Sequence, residues 1–220
     1  MREIERRVIP AEMVRSLVWW EDTLCDPVAG WRRFGLDGRS GNDRRYGNMS
    51  YSYPFDRAAL SPDGRYAVLY TVLGTKGLVL HDGQVLREIN RSYYHAHVFE
   101  YPVAIFRAPD GRQLLAHCPD EYNVLQLEEL DSGRRLTARE SAPADFFHSR
   151  LQASPDGRYL LSAGWVWQPM EALMMHSVEE ALRRPESLDD ERGLLDYSGI
   201  SDVGDEVEAA AFAPDGTVLL

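Results

Sequence analysis

Cysteine is nearly absent: the 220 residues hold only Cys25 and Cys118. Two cysteines make no disulfide framework, and they fit a reducing compartment with free thiols better than a secreted one. Long hydrophobic runs are missing too. The longest early apolar cluster, Leu17-Val18-Trp19-Trp20, is far shorter than the roughly 20 residues that span a bilayer. The start, MREIERRVIP, alternates charges without the apolar stretch of a targeting segment, so a cytoplasmic location with no membrane contact is expected. Positive charge is in the minority, 24 Lys and Arg against 35 Asp and Glu for a formal charge of -11. Nucleic acids and anionic membranes need a contiguous basic footprint, which this balance argues against. No G-x-S-x-G, P-loop or Rossmann glycine pattern occurs, so no catalytic machinery and no cofactor are expected from motifs.

What is present is ordinary in amount and repetitive in order. Apolar residues make up 44% and charged residues 27%, the balance of a globular domain. A chain of this size buries about 70% of its unfolded surface and needs no metal or disulfide staple. A turn of Ser/Ala-Pro-Asp-Gly occurs four times, with prolines at Pro62, Pro109, Pro155 and Pro214, spaced 47, 46 and 59 residues apart. Proline sets φ at the second turn position, aspartate suits the third, and glycine takes the positive φ that closes a bulged hairpin. Behind the first three turns run Tyr66-Ala67-Val68-Leu69-Tyr70, Leu114-Leu115-Ala116 and Tyr159-Leu160-Leu161, all strand formers. Third strands are expected at Gly77–Leu80, Asn123–Leu127 and Ala172–Met175, and fourth strands at Gln84–Ile89 and Arg134–Arg139. The longest spacing holds an insertion: a short helix over Glu179–Arg184, stopped by Pro185, then an acidic loop.

Four turns in register, three with the same downstream strands, resemble WD40-like propeller blades of the bacterial SPDG type. The resemblance covers roughly residues 55–220 and implies an all-β propeller of four-stranded antiparallel blades, three of them full and one split or truncated. On that reading 1–220 is one domain with blades near 52–92, 98–140, 146–184 and, in part, 205–220. Residues 15–36 would supply the outer strands of a composite blade. The pattern departs from the family where a Trp-Asp pair would stand: His81-Asp82, Glu128-Glu129 and His176-Ser177 occupy those places. Three outcomes stay open: a ring closed with four blades, two chains that complete one another through open blade edges, or a piece of a longer ring, the last two favoured.

In such a unit the Pro-Asp-Gly turns sit at one end of the strands and the second turns and unit-to-unit links at the other. That other end gathers Tyr93, Tyr94, His95, His97, Tyr122, Phe147, His148, Trp165 and Trp167, the candidate binding residues. His95 and His97 share one strand face, and with Glu100 and His148 they form the alternative, a metal set. Asp145 with His148, or Asp120 with Glu121, could serve as acid and base, but no spacing selects either pair. Cys118 beside Pro119-Asp120 has an acidic setting that raises a thiol pKa, which speaks against a nucleophile. The resemblance implies a non-catalytic interaction or scaffold module whose partner is another protein. The rival is a channel-mouth enzyme, such as a metal-assisted hydrolase or a lactonase-like protein, built on His95, His97, Glu100 and His148.

Overall fold

The turns are built as their residues dictate. Ser61 Oγ accepts from Tyr66 N at 2.9 Å and donates to Asp63 Oδ1 at 2.6 Å, while Asp63 accepts from Arg65 N at 3.1 Å and Gly64 N donates to Ser61 O at 2.9 Å. The set repeats at Ser154, Asp156 and Gly157. Ala108 and Ala213 lack the hydroxyl; their turns keep the aspartate and glycine bonds and are closed by Ala108 N donating to Arg112 O at 2.9 Å and Ala213 N to Thr217 O at 2.7 Å. Gly64 (φ +66°) and Gly157 (φ +70°) take the left-handed backbone, and neither has room for a Cβ. A side chain at Gly64 would enter the Trp20 ring, and one at Gly157 would strike the carbonyl of Arg107. Each of these glycines therefore closes a turn and docks it on the preceding sheet.

The structure, a computed structural model, describes residues 6–42, 51–140, 142–166, 170–190 and 209–220. It is all-β with few helices, in several small antiparallel sheets. The first runs β1 (Val18–Trp20), β2 (Thr23–Asp26), β3 (Arg32–Gly35) and β4 (Ser40–Asn42) in order. The second runs β5 (Arg57–Leu60), β6 (Tyr66–Tyr70), β7 (Lys76–His81) and β8 (Gln84–Asn90). The third holds β9 (Val103–Arg107), β10 (Gln113–His117) and β11 (Gln126–Glu129). In the fourth, β12 (Phe146–Phe147), β13 (Leu151–Ala153) and β15 (Met170–Ser177) all pair with β14 (Tyr159–Val166). A fifth pairs β16 (Ala211–Phe212) with β17 (Val218–Leu219). Helix α1 (Val178–Arg183) and a 3-10 turn at Pro185–Asp189 follow β15, as the insertion pattern suggests, with Ser177 capping the helix.

Several details differ from the sequence reading, among them the third strand expected at Asn123–Leu127, which runs Gln126–Glu129. Residues 18–42 supply all four strands of their own sheet, where 15–36 suggested only outer strands. Glu21 at φ +55° closes a tight hairpin that no glycine announces. The segment Arg134–Arg139 forms one bridge, Glu128↔Arg135, because Thr137 Oγ1 takes the Leu127 N–H (2.8 Å) that a further strand would have accepted. The first strand of the fourth sheet breaks at Arg150 (φ +43°), which separates β12 from β13.

The middle strands are buried on both faces, which is why they read as unbroken apolar runs. Ala67 and Leu69 pack with Trp20 and Trp31 of the first sheet, while Tyr66 and Val68 pack with Val103, Ile105 and Leu115 of the third. Leu114 and Phe106 meet Leu151 and Leu160 of the fourth, and Leu161 and Leu173 meet Phe212 and Val218 of the fifth. The sheets are thus stacked in chain order through interdigitated side chains. Their first strands, β1, β5, β9 and β13, border a groove of ≈ 580 Å³ lined by residues such as Trp19, Leu60, Ile105 and Gln152.

Candidate functional site

The ends of the strands away from the Pro-Asp-Gly turns carry an aromatic cluster. Phe147 lies opposite Trp165 in the β12–β14 register, and their rings stand 4.5 Å apart. Tyr122, from the link between β10 and β11, stacks on Phe147 at 4.2 Å. Tyr94, from the link between β8 and β9, lies 5.0 Å from Tyr122 and 6.0 Å from Phe147. His95 stands edge-on to Tyr94 at 4.4 Å and lies 6.3 Å from His97. Phe99, not selected from the sequence, closes the base of the cluster 5.4 Å from Phe147. Six of the nine predicted residues therefore meet: Tyr94, His95, His97, Tyr122, Phe147 and Trp165. Tyr93 extends into solvent at 81% exposure beside Tyr94 at 46%. Trp167 lies outside the described residues.

His148 goes elsewhere because side chains alternate along a strand. It shares the face of Phe146, 5.0 Å away, and is buried with its Nδ1 3.1 Å from Ser162 Oγ and its ring 6.1 Å from His176. Phe147 alone turns toward the loops. The metal set of His95, His97, Glu100 and His148 is accordingly not assembled, and no group of three or more His, Cys, Asp or Glu among the described residues is placed to hold a metal ion. The Asp145–His148 pair fails for the same reason, and Asp120 is engaged by Arg135.

Two polar residues organise the cluster. Tyr122 donates its hydroxyl to Asp145 Oδ1 at 2.6 Å. Burial first, then this bond and the charges of Asp145, Tyr94 and Glu121, push the Tyr122 pKa up to about 12. Beneath the 92–99 loop lies Arg91, buried at 4% exposure. Its Nε donates to Gly74 O at 2.7 Å, its Nη2 to Ala96 O at 2.7 Å and Phe99 O at 3.0 Å, and its guanidinium sits 4.5 Å over the Phe99 ring. A tight turn with Val98 N bonded to His95 O, and His95 itself at φ +49°, completes the loop. Nothing in the sequence marks Arg91, since arginine is ordinarily a surface residue. The Cys118 thiol is held protonated as expected, but burial does it; the charges that act on it, Arg91 and Arg139, pull the other way.

Between the second and third sheets Glu128 faces His117 Nε2 at 3.1 Å and Arg87 Nη2 at 2.9 Å. All these groups support the scaffold beneath the loops. Compared with models of known protein families and with curated proteins, the chain matches none.

Proposed function

We propose that this chain is a WD40-like propeller module, or part of one, that binds another protein without catalysis through the loop end carrying Tyr93 and Tyr94. The propeller reading is supported by the four Pro-Asp-Gly turns, by sheets stacked in chain order, and by first strands gathered on one groove. The binding reading rests on a single observation: exposed tyrosines stand on a rigid buried base. Tyr93, Tyr94 and Val98 are 81%, 46% and 52% exposed, whereas Phe99 and Phe147 beneath them are 5% and 0% exposed. Tyrosine offers large contact area with only two torsions to freeze, which is why rigid aromatic anchors dominate interfaces. Loops held on a stiff scaffold are where binding is placed.

Affinity capture from a native lysate tests it, with wild type beside the double substitution Tyr93→Ala, Tyr94→Ala. Both side chains are exposed, so the variant folds. A partner recovered by wild type and lost by the variant supports the reading, and equal recovery by both overturns it.

A further inference from the structure

The loop end combines aromatic rings with carboxylates that no cation neutralises among the described residues. Asp145 is exposed and its described partner is a neutral hydroxyl, that of Tyr122. Glu121, beside it in sequence and exposed, acts on the same hydroxyl. Several other surface carboxylates have a cationic partner: Asp120 has Arg135, Glu129 has Arg134, Glu171 has Arg150 and Asp82 has Arg65. Among the described residues, no Lys, Arg or His side chain pairs with Asp145 or Glu121. Close under the platform, the Arg91 guanidinium is buried and gives its Nε and Nη2 to backbone carbonyls.

A bare carboxylate next to open tyrosine rings is the chemistry of a cation receptor. A guanidinium is planar, weakly hydrated and able to stack on a tyrosine face while its N–H groups reach a carboxylate oxygen. An ammonium is a hydrated point charge and gains less from the stacked geometry. The charge of -11 adds a long-range field that draws a basic segment to this chain. Building on the binding reading above, we propose that the loop end receives an arginine side chain from a basic segment of its protein partner. The guanidinium stacks on Tyr94 and donates to Asp145.

The probe is a fluorescently labelled peptide of alternating arginine and glycine, titrated with the full chain at low salt and read by polarisation. Its counterpart carries citrulline, neutral and nearly isosteric, in place of each arginine. Tyr94→Ala and Asp145→Asn remove the stacking ring and the charge. Glu179→Gln removes an equally exposed carboxylate from α1 and serves as the control for general acidity. The proposal expects saturable binding that falls about tenfold or more in Tyr94→Ala and in Asp145→Asn, is unchanged in Glu179→Gln, and is absent with citrulline. No binding, equal binding of the citrulline peptide, or equal weakening by Glu179→Gln overturns it. Binding of a neutral cello-oligosaccharide that depends on Tyr94 but not on Asp145 also overturns it and assigns the platform to sugar stacking. If lysate capture still depends on Tyr93 and Tyr94 while the arginine peptide fails, the loop-end reading stands and the cation reading alone falls.

Discussion

The hydroxyl of Tyr122 donates to the Asp145 carboxylate at 2.6 Å, tying the link between β10 and β11 to the start of the fourth sheet. Asp145→Asn should bring the Tyr122 pKa down from about 12 toward its ordinary 10.0, because the carboxylate charge that holds the phenolic proton is gone while burial remains. Both side chains stay partly in water, so stability should drop by only about 1 kcal/mol or less. An ultraviolet pH titration of wild type and variant reads the shift. An unchanged Tyr122 titration would show that the bond does not persist in solution.

Gly164 has no room for a methyl group. A Cβ there would overlap the carbonyl oxygen of Phe147 and come within 2.7 Å of the Phe146 ring. Gly164→Ala should therefore push β12 off β14, separate Phe147 from Trp165 and cost about 1–3 kcal/mol. Thermal melting measures the loss and near-ultraviolet circular dichroism the changed aromatic packing. A variant with wild-type melting would mean that β12 does not approach β14 this closely.

Arg91 should matter more than any exposed residue of its loop. Arg91→Lys cannot reach Gly74, Ala96 and Phe99 carbonyls together, and leaves buried acceptors unmet, at about 2–4 kcal/mol. Hydrogen exchange should then rise at Tyr94–Phe99 before it rises in β10. Equal exchange across the loop in wild type and variant would remove Arg91 from this role.

Acid should weaken the interface between the third and fourth sheets before the carboxylates titrate. His148 and His176 are buried neutral, their pKa values lowered by burial first; His148 also feels His176 and Arg139, and Arg139 opposes protonation of His176. His176 is lowered to about 4 from the ordinary 6.5, against a small opposing pull from Asp189. Below 6.5 the unfolded chain takes up protons that the folded chain refuses, so stability falls as pH drops through the window from 6.5 to about 4. By about pH 5 His176 alone accounts for about 2 kcal/mol of that loss. Glu128 acts in the next window: its pKa is lowered despite burial, by His117, Arg87 and Arg135, so its contribution is present above 4.5 and lost at lower pH. Urea midpoints measured across this range should slope from near pH 6.5, and His176→Gln should flatten that slope. A flat wild-type profile down to about pH 5 would contradict it.

Local chemistry made much of this legible. The Pro-Asp-Gly turns, the doubly buried strands behind them, β8, β15 and the helix after it all follow from turn residues, apolar runs and Pro185. What stayed hidden depends on positive-φ residues that carry no sequence signal, Glu21 and Arg150, and on side chains that replace ladder bonds, such as Thr137. The site shows the same division. Loop position was enough to bring Tyr94, Tyr122, Phe147 and Trp165 together. It misplaced His148, because the Arg150 break and strand alternation decide which of Phe147 and His148 faces the loops. Asp145 was visible only as one acid among many, and Arg91 not at all, since its partners are backbone carbonyls.

The most direct measurement is oxidative footprinting of the chain alone and bound to the partner recovered by capture. Tyr93 and Tyr94 should be protected in the complex, while Tyr159, 44% exposed at the Pro-Asp-Gly end, stays reactive and serves as the internal control. Protection of Tyr159 with Tyr93 and Tyr94 unchanged would contradict the account and move the interface to the opposite end of the strands.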